Sequence, residues 1–107
     1  MSRASVDALG VLANQIKMAR VSHGWTLADM AARVGVTPRT MAAVESGAPS
    51  VAIGAVFNAA FTAGVDLFCP DGPELARARR RGEKTLALLP SRVRKPIVRD
   101  NPDDFDF

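Results

Sequence analysis

Tyrosine is absent from this 107-residue chain, and cysteine, histidine and tryptophan occur once each. The lone cysteine, Cys69, excludes an internal disulfide framework and points to a reducing cytosol. One Cys and one His far apart in sequence give no metal-ligand spacing, so neither a metal nor another cofactor is expected. His23 has no nucleophile at a telling spacing either, which argues against an enzyme. The N-terminus lacks the basic-then-apolar layout of a secretion signal, so a cytoplasmic protein is expected. Also missing is a strongly apolar span of about 20 residues. The longest uncharged run, "SGAPSVAIGAVFNAAFTAGV" from Ser46 to Val65, is broken by Gly47, Pro49, Gly54 and Gly64 and is rich in small residues. It reads as a buried helix with its connections.

What the chain does have is alanine, which favours helix, and an uneven distribution of charge. Its length suits one core of roughly 100 residues but not two. The net charge of +3 hides three regions. Residues 1–70 carry five basic side chains (Arg3, Lys17, Arg20, Arg33, Arg39) and four acidic ones. Residues 71–99 carry nine basic against three acidic, including "RARRRGEK", and the closing "DNPDDFDF" adds four acids and no base. A polyanion partner for the basic part, or a solvated helix face, accounts for such asymmetry.

Periodicity predicts five helices and an all-α fold. Leu9, Leu12, Ile16 and Ala19 recur at helical spacing in a first helix over about 6–22, closed by Gly24. Thr26 is an N-cap for the second helix, with Asp29 completing a capping-box-like pair and Gly35 ending it. Leu27, Met30, Ala31 and Val34 form its apolar stripe. Thr37 caps the third, Pro38 takes its first position, Met41 and Val44 face inward and Gly47 closes it. A fourth helix over 51–63, capped by Ser50, is expected to bury Ile53, Val56, Phe57, Ala60 and Phe61. The stretch Val65, Asp66, Leu67, Phe68 and Cys69 alternates weakly and reads as a short strand or a tucked chain end. A fifth helix over 74–89 follows, and prolines at 90, 96 and 102 argue for an extended tail. The expected organisation is a helix-turn-helix domain over 1–70, then a basic helix and tail over 71–107.

Two short helices joined by "VGVT", the second opening on a capped proline, have helix-turn-helix geometry. Met41 and Val44 anchor the second of them, which leaves Thr37, Arg39, Thr40 and Ala43 to face a major groove. Arg39 suits a bidentate contact to guanine, worth about 1–3 kcal/mol of discrimination, or a phosphate contact. Arg33 suits solvent or phosphate. Thr37 is first an N-cap and second a phosphate donor.

From Leu9 to Leu67 the chain resembles the lambda repressor/Cro-type helix-turn-helix family, on "IKMARVSHGWTLADMAARVGVTPRTMAAVESG" followed by "SVAIGAVFNAAFTAGVDL". The resemblance implies five short helices, double-stranded operator DNA as partner, and a homodimer on a two-fold site. It also implies an ion pair between an arginine late in the first helix and the glutamate that ends the third, here Arg20 and Glu45. The family often has glutamine at the start of the second helix, against a DNA phosphate. Leu27 stands there in this chain, which leaves backbone N–H groups, Thr26 and Lys17 for that contact.

"GWTLADMAARVGVTPRTMAAVESG", the fourth helix and "VDLFCPDGP" together resemble HipB-type antitoxins, whose genes lie beside HipA-type kinase toxins. That resemblance implies a strand at Val65–Cys69 pairing across the dimer, and a tail that docks on the toxin through Phe105 and Phe107. A solubilising tail accounts for the same residues. The function implied is an antitoxin and autorepressor of a HipA-like kinase toxin operon, cytoplasmic and on the nucleoid when DNA-bound. The alternatives are a stand-alone transcriptional repressor and an interaction module that has lost DNA binding.

Overall fold

A computed structural model describes residues 1–68 and 72–90. The described chain is all-α, with helices α1 (Arg3–Ser22), α2 (Leu27–Val34), α3 (Pro38–Glu45), α4 (Ile53–Ala63) and α5 (Gly72–Leu88). Residue contacts divide the chain after Pro70 into two units. The first holds α1 to α4, so four of the five helices build the helix-turn-helix unit. The described part of the second is α5 with the two residues that follow it.

In the first unit α4 packs on α1, α2 and α3, and α2 packs on α3. Ile16, Met30 and Met41 are the large side chains wholly removed from water, and Ala31, Val44, Ala59, Ala60 and Ala63 complete the core. So many alanines bring helix axes close together, since interior packing must be dense whatever the side-chain size. Helix α1 begins one turn earlier than its apolar spacing suggests, because the Ser2 hydroxyl accepts the Ser5 N–H at 3.1 Å and caps it.

Helix α4 departs furthest from expectation. Ser50 does not cap it: Ala52 holds the cap position without a side-chain bond, and the helix starts at Ile53. Its buried face is Ala59, Ala60 and Ala63, with Val56 packed beside them. Ile53 is 69 % exposed and Phe61 47 % exposed, and Phe57 is half-buried. The helix is apolar on nearly every side, so periodicity offers two faces. The small one wins because it seats α4 tightly against three helices at once.

Nor do the described residues of the Val65–Cys69 segment form a strand. The Val65 N–H bonds the Ala60 carbonyl at 2.8 Å behind left-handed Gly64, which makes Val65 part of the α4 terminus. Leu67 carries an isolated bridge, and Phe68 at φ 64 turns the chain out of extension. Cys69 lies outside the described residues, as does the tail from residue 91 that includes Phe105 and Phe107. In the second unit, exposed ion pairs Arg77–Glu74, Arg81–Glu74 and Arg79–Glu83 run along α5, whose Leu86 and Leu88 are exposed. Among the described residues no helix is long and apolar enough to cross a membrane.

Arg20 braces the first unit. Its Nε donates to Glu45 Oε2 at 2.7 Å and its second terminal nitrogen to Oε1 at 3.0 Å, while the other terminal nitrogen donates to the Trp25 carbonyl at 2.9 Å. The two side chains are only 13 % and 7 % exposed. Removing one partner strands a nearly buried charge. Arg20→Ala is expected to lower stability by about 3 kcal/mol in urea denaturation. Arg20→Ala with Glu45→Ala together should recover part of that loss. A single-variant loss within about 0.5 kcal/mol, the level of an ordinary surface substitution, would show that the pair braces nothing.

Candidate nucleic-acid interface

Two eight-residue helices carry the site, each too short to persist alone and each held by its ends. At the start of α2 the Thr26 hydroxyl accepts the Asp29 N–H at 3.1 Å, and Asp29 Oδ2 accepts the Thr26 N–H at 2.9 Å. This reciprocal box holds the Asp29 carboxyl below the ordinary aspartate value. The Thr26 backbone N–H is the main cause, the Thr26 side chain adds to it, and Arg33 contributes attraction. Gly35 at φ 83 supplies the left-handed turn that a side chain would strain. Thr37 then caps α3 through the Thr40 N–H at 3.1 Å, with Pro38 in the first turn.

Met41 and Val44 bury one side of α3. Arg39 and Ala42 lie exposed on the other, with Ser46 just past the helix end and Ala43 half-buried. Thr40 is half-buried, and its hydroxyl accepts from that of Thr37 at 3.1 Å. Lys17, Leu27, Ala42 and Ser46 share the rim of one open groove of about 300 Å³ with the Arg20–Glu45 pair. A lysine of α1, the first residue of α2 and the end of α3 therefore address the same space. Ala42 and Ser46 were not singled out from the sequence. The helical angle from Met41 and Val44 would have found both.

Arg33 is placed differently from its neighbours. Its guanidinium lies 4.2 Å from the Trp25 ring centroid, a cation–π contact, and His23 stacks on the same tryptophan at 4.2 Å. His23 Nε2 also bonds the Ala63 carbonyl at 2.9 Å, tying the end of α1 to the end of α4. Among the described residues no three His, Cys, Asp or Glu side chains gather as a metal cluster would require.

Residues 16–56, from the middle of α1 into α4, match the family described as Helix-turn-helix. These residues are a helix-turn-helix domain. The domain is of the non-catalytic, DNA-binding kind found in transcription regulators. No curated protein and no solved structure matches the chain. Within the helix-turn-helix domain the α2 cap depends on an ionised Asp29. Because its folded-state pKa is depressed, the stabilisation is full above the ordinary aspartate value and fades as pH falls through the lower folded value. Asp29→Asn is thus expected to lower the melting temperature at pH 7. The gap to the parent should close as the pH is taken below the ordinary aspartate range. A gap that stays constant across that acid limb in thermal melts would remove the carboxylate from the cap.

Proposed function

We propose that the domain reads operator DNA as one half of a homodimer, and that the chain is the antitoxin and autorepressor of a HipA-like kinase toxin operon. One observation carries the DNA reading. Lys17, the N-terminus of α2 and the outer side of α3 meet at a single groove. The N–H groups that open α2 suit a phosphate through the helix dipole, Lys17 adds a cation, and Arg39 stands exposed for a base edge or a second phosphate. Thr26 and Thr37 serve chiefly as caps, and their positions at helix starts also suit phosphate contact. Thr40 and Ala43 flank Arg39, and Arg33 is held to Trp25 at the edge of this set.

Support for a second copy comes from apolar surface. Ile53, Phe61 and Phe68 are 69 %, 47 % and 85 % exposed, and Phe68 meets Phe57 edge-on with ring centroids 6.0 Å apart. The Val65–Cys69 segment that follows α4 remains the proposed place for pairing across that dimer, with Phe105 and Phe107 proposed for the toxin. A second reading is favoured by Leu27 and the alanines of α3: an interaction module that has kept the fold and no longer binds DNA.

Binding to the chain's own promoter separates the two. Arg39→Ala is expected to weaken promoter binding about 5- to 150-fold while leaving the melting temperature unchanged, as loss of a bidentate base contact would. Equal affinity of the parent for promoter and random DNA at one salt concentration would end the DNA reading. The toxin partnership predicts that the full chain co-purifies with the product of the adjacent gene. Truncation after residue 90 should weaken that complex. Absence of the complex leaves a stand-alone repressor.

A further inference from the structure

The basic run of the second unit has no part in the operator reading, and α5 carries it in the open. Five basic side chains (Arg77, Arg79, Arg80, Arg81, Lys84) stand on this helix against two acidic ones, Glu74 and Glu83. At about 100° per residue, Arg77, Arg80, Arg81 and Lys84 fall within an arc of about 100°, and Arg79 lies about 150° round from its middle. Glu74 pairs with both Arg77 and Arg81, and Glu83 pairs with Arg79. Among the described residues Arg80 and Lys84, both exposed, pair with no carboxylate. Like charges three and four positions apart repel along this arc. Gly82 weakens the middle of the helix further, and no residue of α5 is buried. The exposed pairs with Glu74 and Glu83 offset little of this. A helix that keeps such repulsion fits a partner that supplies negative charge.

We propose that the side of α5 formed by Arg77, Arg80, Arg81 and Lys84 binds DNA phosphates, as a second and sequence-independent contact of the same chain. This rests on the DNA reading proposed above, because a duplex held by the first unit is tethered to α5 through the chain, which makes the second contact intramolecular. Arginine and lysine hold phosphate without reading bases. The contact therefore adds affinity, steepens its dependence on salt and leaves the ratio between promoter and random DNA unchanged. An anionic lipid surface presents the same charge. The opposite side of α5, however, is Leu75, Ala78, Gly82 and Leu86, with no aromatic, and offers little to bury among acyl chains.

The test measures the affinity of the full chain for promoter and random duplexes from about 50 to about 200 mM salt. Each phosphate contact contributes about 0.9 to the slope of log affinity against log salt. Arg80→Gln with Lys84→Gln should thus make the slope shallower by about 1.8 per copy on both duplexes. Across that range the parent loses about 12-fold more affinity than the double variant. The promoter-to-random ratio should stay as it was, whereas Arg39→Ala lowers it. Arg79→Gln removes the same charge from the other side and should leave the slope unchanged, as should Arg80→Lys. Circular dichroism follows α5 in each variant, and alanine, the strongest helix former, replaces glutamine where helix is lost. A slope that falls equally with Arg79→Gln and with Arg80→Gln reports net charge and overturns the inference. An unchanged slope in the double variant overturns it too, and loss of capture by phosphatidylserine vesicles in that variant then assigns the face to lipid. Promoter preference that survives this outcome leaves the operator reading standing. A slope lost in the double variant of a parent without promoter preference keeps the α5 contact and ends the operator reading. A chain that binds no duplex at any salt overturns both.

Discussion

The fork between Arg20 and Glu45 fixes the direction in which α3 presents its outer side. Helix α3 has eight residues and only two buried side chains, which leaves rotation about its own axis weakly opposed by packing. Two parallel bonds from one guanidinium to one carboxylate oppose that rotation, and they are directional where apolar contact is not. The remaining terminal nitrogen reaches the Trp25 carbonyl, so a single side chain holds α1, the connection into α2 and the end of α3. A nearly buried ion pair adds little net stability over an apolar replacement of the same shape. Its value here is placement of Arg39, Ala42 and Ala43.

Placement matters because the core beneath is thin. Three large side chains are fully buried, and alanines fill most of what remains. A second clamp closes the rim, where Trp25 receives the His23 ring and the Arg33 guanidinium, and His23 bonds the last carbonyl of α4. The ends of α1, α2 and α4 are thereby joined outside the core. Gly47 shows how close the elements come. At φ 73 it passes α1 so nearly that an added Cβ would lie 3.5 Å from the Leu9 carbonyl oxygen.

The signals that bracket α2 and α3 were legible in the sequence. Thr26 with Asp29, Gly35 at the turn, and Thr37 with Pro38 each work through bonds that span one helical turn, so residue type at fixed spacing is enough. The face of α4 was legible only in part. Val56 and Ala60 were expected inside and lie there, but bulk apolar character also drew in Ile53 and Phe61, which are exposed, and passed over Ala59 and Ala63, which are buried. What decides the outcome is the distance between helices, a property of three neighbours that no local pattern carries. Ala42 and Ser46 were hidden for a different reason. Met41 and Val44 already fix the outer side of α3, so only the small size of Ala42 and Ser46 hid them.

The scarcity of long side chains on α3 bears on how the domain can be specific at all. On the proposed DNA reading, Arg39 gives one copy about 1–3 kcal/mol of base discrimination. Specific regulators separate their sites from random DNA by about 4–10 kcal/mol. One copy alone then falls below that range, and two copies on a two-fold site, at about 2–6 kcal/mol, reach into it. The exposed apolar side of α4 and the alanine surface of α3 thus support each other as readings. On the proposed DNA reading a helix with so few readers calls for a second copy, and Ile53, Phe61 and Phe68 are the exposed apolar side chains proposed to meet it.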